Sequence, residues 1–132
     1  MNNNTNRFKK RRRGKLKKFN FKNNYLNFGT YGLKVLNSGI ITTTQIEAAR
    51  QAIARKTGRK GKLWVKMNPD TPITSKSFGS RMGKGKGSIA HWGYKAKAGS
   101  VIFEICGVTW QTAQEAFKTG GAKLPLKTVA IF

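Results

Sequence analysis

A run of alternating glycines and cations, Arg81-Met82-Gly83-Lys84-Gly85-Lys86-Gly87, has the residue types best suited to binding chemistry. Glycine has no Cβ and tolerates positive φ, so this backbone can approach a ligand where other residues would clash. The cations between the glycines indicate a ligand rich in phosphate. Because closely spaced glycines disfavour both a helix and a central strand, we predict an exposed loop over residues 79–88, with a merely solvated linker as the alternative.

The spacing of these glycines excludes the two common nucleotide-binding loops. A P-loop needs a glycine, four further residues and then Gly-Lys-Ser/Thr. Four residues after Gly79 this chain reads Lys84-Gly85-Lys86 instead. A dinucleotide fingerprint needs G-x-G-x-x-G after a strand of a parallel unit, whereas the spacing here is G-x-G-x-G. We therefore predict no nucleotide pocket in this loop.

The charge balance indicates the class of partner. The 132 residues include 27 Lys and Arg against 4 Asp and Glu, which gives a formal net charge of +23. Such a domain repels itself and should be most stable against a polyanion. Nucleic acid is favoured over an anionic membrane, because the sequence has neither a long apolar span nor a basic amphipathic helix with a bulky apolar face. We expect no membrane insertion.

The chain is poor in the groups that catalysis or metal binding requires. Cys106 is the single cysteine and His91 the single histidine, so no zinc-type cluster and no internal disulfide is expected. His91 lies in a predicted strand, where a packed or RNA-facing imidazole is favoured over a catalytic base. The acids are far apart in the sequence, and each has a local structural explanation: Glu47, Asp70, Glu104 and Glu115. We predict no enzymatic activity, no cofactor and no metal, although folding could still bring two acids together.

Residues 1–27 are predicted to form a basic arm that stays disordered until it meets phosphate. An organelle transit peptide is the alternative, but the segment is Asn-rich rather than Ser-rich and has no amphipathic helical period. The arm's aromatic residues can either stack on unpaired bases or anchor the arm to the domain, and they are Phe8, Phe19, Phe21 and Tyr25. The cations that we expect to contact RNA are Lys9, Lys10, Arg11, Arg12, Arg13, Lys15, Lys17 and Lys18.

A first helix is predicted from residue 44 to residue 57. Thr44 and Glu47 have the spacing of a capping box, which gives Glu47 a structural role. One face of the helix carries a small apolar stripe of Ile46, Ala49 and Ile53. The cations at the helix end exceed what the helix dipole needs, so we predict a phosphate-contacting patch. The RNA-contacting residues predicted in this region are Arg50, Arg55, Arg59, Lys60 and Lys62.

Strand patterns and a second helix occupy the rest of the chain. The predicted strands are 28–36, 63–67, 89–96, 101–105 and 126–132. Residues 97–100 predict a hairpin turn between two of these strands, and the rigid Pro-containing turn at 68–72 accounts for Asp70. Glu104 lies opposite the apolar face of its strand, where we expect an exposed pair with a lysine.

The second helix is predicted to begin near Thr109 or Thr112. Thr112 and Glu115 again have capping-box spacing. Its apolar stripe is Ala113, Ala116, Phe117 and Gly120. Strands and helices interspersed in this way predict one α+β domain over residues 28–132, with two helices packed on a mainly antiparallel sheet.

Several ordered segments together resemble one known family. They are Phe28-Gly29-x-x-Gly32-Leu33, Thr44-Gln45-Ile46-Glu47-Ala48-Ala49-Arg50-x-Ala52, Gly61-Lys62-Leu63-Trp64-Val65, Pro69-Asp70-x-Pro72-Ile73-Thr74, Arg81-Met82-Gly83-Lys84-Gly85-Lys86-Gly87, Glu115-Ala116-Phe117 and Ala122-Lys123-Leu124-Pro125. Over about residues 28 to 128 the chain resembles the ribosomal protein L16 (uL16) family. Any one segment alone would be weak evidence, but their number and order make coincidence implausible.

The resemblance implies a monomeric, non-enzymatic RNA-binding protein of the large ribosomal subunit. It implies contacts with large-subunit rRNA and neighbouring ribosomal proteins, and a role in subunit assembly. It also implies that the loop Arg81–Gly87 reaches toward the peptidyl-transferase centre and the tRNA acceptor arms at the A site, and possible contact at the P site. In some bacterial members the arginine at the position of Arg81 is hydroxylated. The arm before residue 28 matches the family only in being basic, and Ala90–Gly93 lacks an acidic position that is usual in it.

Two alternatives stay open at this point. The same charge would serve a non-specific nucleic-acid chaperone or nucleoid protein, which would bind any duplex without residing in ribosomes. The Asn-, Lys-, Phe- and Ile-rich N-terminal region is typical of coding in an A·T-rich genome. This composition favours a mitochondrial ribosome whose own genome encodes the protein, with a plastid or a bacterial cytoplasm as the alternatives.

Overall fold

The strands of this chain form two antiparallel sheets. A computed structural model describes residues 10–16 and 19–132. Its elements are β1 (Tyr31–Val35), β2 (Gly39–Thr42), α1 (Thr43–Lys56), β3 (Lys62–Val65), β4 (Thr71–Ser75), β5 (Ser88–Ala96), β6 (Val101–Cys106), α2 (Trp110–Gly121) and β7 (Thr128–Ile131). One sheet has the strand order β3-β6-β1-β7 and the other β2-β5-β4. The predicted α+β class, with two helices packed on antiparallel strands, is confirmed.

The hydrophobic core brings the two helices together with the four-stranded sheet. The apolar stripes predicted on α1 and α2 are buried as expected, and they meet Leu33 of β1 and Phe103 of β6 in one cluster. At the helix crossing, a Cβ added to Gly120 would lie 2.6 Å from Cγ1 of Ile53. The two helices therefore approach as closely as they do because α2 has no side chain at this position.

Helix α1 begins earlier than its capping pattern predicts, and α2 begins directly after Thr109, the earlier of its two predicted starts. Thr42 is the N-cap of α1, and its capping box is completed by Gln45 rather than by Glu47. Thr109 precedes α2 without a side-chain cap bond, and its hydroxyl lies 2.9 Å from that of Thr112. The predicted boxes Thr44–Glu47 and Thr112–Glu115 are therefore wrong. In a run of threonines the same spacing fits several registers, and tertiary packing selects one of them.

The predicted hairpin at residues 97–100 is wrong as well. β6 pairs with β1 and β3, whereas β5 pairs with β2 and β4 in the other sheet. The short connection therefore carries the chain from one sheet to the other. Neither β2 nor β4 was predicted as a strand. β2 has only four residues and begins with a glycine, and β4 begins at Thr71, inside the segment 68–72 that was predicted as a turn.

Residues 19–29 extend along the side of the four-stranded sheet that faces away from the helices. Leu26 covers Gly32 so closely that an added Cβ there would lie 2.4 Å from Cδ2 of Leu26. Phe19 packs on Gly99 in the same way, and the carbonyl of Asn23 accepts from the N–H of Val101 at 2.9 Å. Phe19 therefore has an anchoring position, which is one of the two roles foreseen for the aromatic residues of the arm.

No helix within residues 10–16 and 19–132 is both long enough and apolar enough to cross a membrane.

Candidate nucleic-acid interface

The Gly/Lys loop connects β4 to β5 and is exposed along its cationic part, from Arg81 to Lys86. Its backbone turns through three successive left-handed residues, with φ of 99° at Gly83, 53° at Lys84 and 78° at Gly85. Only glycine adopts this region without steric cost, so the two glycines let the chain turn tightly around Lys84. The side chain of Met82 at the tip is 99% exposed. The loop thus holds cations and bare backbone away from the core.

The base of this loop is narrow. A Cβ added to Gly87 would lie 2.3 Å from the carbonyl oxygen of Ser75, where the ends of β4 and β5 pair. Nζ of Lys76 donates to the carbonyl oxygen of Gly83 at 2.6 Å. The loop is therefore closed at its base by Gly87 and braced from inside by a lysine.

The described part of the arm crosses this base. Nζ of Lys10 donates to the carbonyl of Lys86 at 3.2 Å, and Nζ of Lys86 donates to the carbonyl of Arg11 at 2.6 Å. Arg11 also contacts the Asp70 carboxylate at 3.2 Å and donates to Oγ1 of Thr71 at 3.0 Å. We call these contacts of Lys10, Arg11, Lys86 and Asp70 the arm–loop clasp. Two regions that the sequence suggests separately as RNA contacts are thereby brought together.

The other predicted cations of the arm divide into two groups. Arg12, Arg13 and Lys15 are exposed beyond the clasp. Lys9, Lys17 and Lys18 lie outside the described residues.

A second basic surface lies at the end of α1. The N–H of Arg59 donates to the Ala54 carbonyl and the N–H of Gly58 to the Arg55 carbonyl, which is the Schellman pattern with the glycine in the left-handed region. Arg59 itself has φ of 61°. This turn closes a groove of about 560 Å³ whose cationic lining is Arg50, Arg55, Arg59 and Lys60. The groove therefore gathers four of the five cations predicted in this region, whereas Lys62, at the start of β3, is not among the residues that line it.

Arg50 differs from the other cations of this patch because a carboxylate already holds it. Its Nε donates to Oε2 of Glu47 at 2.9 Å and its Nη2 to Oε1 at 2.6 Å. This two-pronged hydrogen bond lowers the pKa of Glu47 to about 2. Glu47 therefore orients Arg50 instead of capping the helix.

Glu104 is fully buried, which corrects the exposed pair expected from its position in the strand. Its carboxylate lies 2.6 Å from Nζ of Lys66, and it accepts from the N–H groups of Asn27, Phe28 and Gly29. Burial opposes the charged form, but the lysine and the three N–H donors outweigh it and hold the pKa of Glu104 below its ordinary value. The predicted lysine partner is confirmed, and the same carboxylate fixes the end of the arm to the sheet.

All the acids of this chain face cations. Arg11 contacts Asp70, Arg50 contacts Glu47, Lys66 contacts Glu104 and Lys56 contacts Glu115. The described residues contain no group of three or more His, Cys, Asp and Glu side chains suited to a metal ion. His91 is exposed on β5, so it is not packed in the core. The geometry offers a cationic surface and no gathered acid–base pair.

Comparison with known proteins identifies the family. The model of the family described as ribosomal protein L16p/L10e matches residues 3–131. A protein of Borreliella afzelii called large ribosomal subunit protein uL16 is 45% identical over 125 residues, 95% of this chain and 91% of that protein. The uL16 of Alkalilimnicola ehrlichii is 43% identical over 125 residues, with the same shares of the two chains. The uL16 of Chelativorans sp. is 50% identical over 103 residues, 78% of this chain and 75% of that protein.

The chain belongs to the ribosomal protein L16p/L10e family. The resemblance drawn from the segments between residues 28 and 128 is confirmed, and the match extends into the arm, to residue 3.

One surface of this L16p/L10e-family chain was missed at the sequence level. The rings of Phe28 and Trp64 stack with centroids 6.1 Å apart and an interplanar angle of 23°, and Nζ of Lys62 lies 5.2 Å from the Trp64 ring centroid. The two aromatic residues are far apart in the sequence. The one signal that could have found them was an aromatic residue close to a lysine-rich segment.

Proposed function

We propose that this chain is a structural protein of the large ribosomal subunit and binds its rRNA. The family match over residues 3–131 carries the proposal, and the name of the relatives, large ribosomal subunit protein uL16, supports it. The net charge of +23 suits a protein that works against a polyanion.

The rRNA contacts are assigned to the two basic surfaces. The exposed side chains around the α1 groove can each meet a phosphate without first breaking an ion pair, and Arg50 is presented by Glu47. The proposed contact residues are the predicted set: Lys9, Lys10, Arg11, Arg12, Arg13, Lys15, Lys17, Lys18, Arg50, Arg55, Arg59, Lys60 and Lys62.

The Gly/Lys loop is assigned to the peptidyl-transferase centre and the A-site tRNA, with the P-site tRNA as a further possible contact. The exposure of Arg81 to Lys86 and the left-handed turn at Lys84 support this assignment, because they bring backbone and cations to the surface together. Arg81 can hold a phosphate through two parallel hydrogen bonds, which a lysine cannot do.

Sedimentation of a gentle lysate tests the proposal as a whole. The protein, located by mass spectrometry, should migrate with large subunits through a high-salt wash. If it stays at the top of the gradient or follows DNA, the ribosomal role is wrong and the non-specific nucleic-acid chaperone becomes the leading hypothesis.

Organelle fractionation of the same lysate tests the compartment. The relatives described above are bacterial, and they favour a bacterial-type ribosome in a bacterial cytoplasm over the mitochondrial matrix suggested by composition. Recovery of the protein with purified mitochondria or plastids would reverse this preference.

Replacing Arg81 by alanine tests the role of the loop. The side chain is exposed, so subunits carrying Arg81→Ala should assemble normally. The rate of peptide-bond formation with A-site tRNA should fall by about tenfold or more, as expected when two parallel charge-assisted hydrogen bonds are removed. Arg81→Lys separates charge from two-pronged geometry and should recover part of the rate. An unchanged rate of peptide-bond formation in Arg81→Ala would contradict the assignment of the loop to the A-site tRNA.

Salt dependence tests the α1 surface. Replacing Arg55, Arg59 and Lys60 by glutamine should reduce the salt dependence of rRNA affinity by about 0.9 for each phosphate that the protein no longer neutralises. Replacing the exposed Lys97, Lys118 and Lys127 by glutamine removes the same charge away from this surface and should leave the slope nearer to that of the wild type. An equal salt dependence in both variants would show that the net charge alone, and not the α1 surface, determines the rRNA affinity.

A further inference from the structure

We propose that Phe28 and Trp64 form a stacking platform for one unpaired base of single-stranded RNA at the free edge of the four-stranded sheet. The proposal rests on the proposed function, because it assumes an RNA partner, and it assigns a base contact where the cations supply only phosphate contacts.

The two rings present an aromatic face to solvent. The rings of Phe28 and Trp64 lie in an offset arrangement, with centroids 6.1 Å apart and 23° between their planes, and Phe28 remains 64% exposed. A phenyl ring this exposed, and tilted by only 23° from a neighbouring indole, leaves ring face available to a stacking base. Unpaired bases stack on such rings in single-stranded nucleic-acid sites, whatever their sequence.

The platform is held rigidly before any ligand arrives. Trp64 lies opposite Glu104 in the β3–β6 ladder, and the N–H groups of Phe28 and Gly29 donate to Oε2 of that same carboxylate at 2.7 and 2.9 Å. A Cβ at Gly29 would lie 2.8 Å from the backbone nitrogen of Ile105, so the segment lies flat on the sheet. Both rings are thus positioned around the buried Glu104, so binding of a ligand needs to order few further groups.

Charge selects a nucleotide over an apolar partner. Nζ of Lys62 lies 5.2 Å from the Trp64 ring centroid, and the groove lined by Arg55, Arg59 and Lys60 lies next to the same strand. A nucleotide supplies both an aromatic face and an anion, whereas an apolar peptide segment would leave these cations without counter-charge. β3 is the last strand of its sheet, so a single strand can pass from the groove to the platform.

Fluorescence of the full-length protein tests the platform. With Trp92→Phe and Trp110→Phe as background substitutions, Trp64 is the sole indole emitter. Oligoadenylate of about ten nucleotides should quench this emission, whereas inorganic polyphosphate of similar charge should bind without quenching it. Equal quenching by both polyanions would overturn the proposal.

Substitution of Phe28 supplies the second measurement. Phe28→Leu keeps the backbone bond to Glu104 and should fold, which circular dichroism and Tm verify. It should weaken oligoadenylate binding about five- to tenfold with an unchanged salt slope, and Phe28→Tyr should restore the affinity. Phe132→Leu is the matched control, since Phe132 is 89% exposed and also contacts a tryptophan, but edge-on.

The failure of this proposal is distinguishable from failure of the ribosomal role. If the wild type binds large-subunit rRNA, and Phe28→Leu binds rRNA and oligoadenylate as tightly as the wild type does, the platform is wrong and the rRNA role stands. If oligoadenylate binding depends on Phe28 while large-subunit rRNA is not preferred over other RNA, the platform stands and the ribosomal role is wrong.

Discussion

Glu104 and Lys66 form an ion pair that is almost wholly removed from water, with side-chain exposures of 0% and 13%. We expect Glu104→Gln to lower the free energy of unfolding by about 3 kcal/mol, because the ammonium of Lys66 is left without its counter-charge in the interior. Urea denaturation of the full-length protein measures this change.

Two variants separate the charge from other effects of this substitution. The double variant Glu104→Gln with Lys66→Met should regain part of the lost stability, since both charges are then removed. Glu115→Gln removes a carboxylate whose pair with Lys56 is exposed, and it should leave the stability nearly unchanged. A loss in Glu115→Gln as large as that in Glu104→Gln would show that net charge, and not burial, sets the effect.

The depressed pKa of Glu104 also predicts a pH dependence. A carboxyl whose pKa is lower in the folded protein than its ordinary value of 4.5 stabilises the fold above that value. This contribution is lost as the pH falls from about 4.5 through the lower folded pKa. The free energy of unfolding should therefore fall on acidification, and it should fall less in Glu104→Gln. Parallel pH profiles for the two proteins would contradict this assignment.

At the scale of elements, the ends of β4 and β5 meet where Gly87 lies against Ser75. We expect Gly87→Ala to cost about 2 kcal/mol, because the added methyl group would lie 2.3 Å from the Ser75 carbonyl oxygen and must push the strands apart. Amide hydrogen exchange should become faster at the pair Ser75–Ser88 before it does so in β6.

Gly85→Ala is the matched control in the same loop. No heavy atom lies within 4 Å of a Cβ at this position, so only the φ of 78° opposes alanine. The cost should be about 1 kcal/mol, without faster exchange at the strand ends. If both variants opened the strand ends equally, the close approach at Gly87 would not be what closes the loop.

The helices and strands show which structural features could be predicted from sequence patterns alone. The stripes of α1 and α2 are confirmed because helical periodicity reports burial directly. The start of α1 was wrong, since Thr42 and Thr44 differ by two residues within one threonine run and only packing distinguishes them, whereas the predicted start of α2 near Thr109 is confirmed. The hairpin after β5 was wrong because the turn residues 97–100 fit both a hairpin and a crossover between sheets.

The whole molecule carries a net charge of +23, with its acids already paired to cations. We expect the Tm of the free protein to rise by several degrees between about 50 mM and about 500 mM NaCl, because salt screens the repulsion among the remaining cations. A thermal scan monitored by circular dichroism measures it, with an equal osmolality of sucrose as the control. A Tm that falls with salt would show that the ion pairs outweigh the repulsion.

Whether a candidate surface could be predicted from the sequence also depended on how close its residues are in the chain. The loop from Arg81 to Gly87 was found from local composition alone. The clasp and the Phe28–Trp64 pair join residues far apart in the chain, so no local pattern could reveal them. Glu104 was misplaced because strand alternation assigned it to solvent, while the arm covers that face of the sheet.

The arm–loop clasp has a consequence for the order of folding. Three of its bonds, including one from Arg11 to the backbone carbonyl of Asp70, join residues separated by 76, 75 and 59 positions in sequence, and each is an exposed bond between a side chain and a carbonyl. Contacts that close such long stretches cost much chain entropy and gain little burial in return. The clasp should therefore close last during refolding and open first during unfolding, so a protease probe at the loop would report a step that strand probes do not detect.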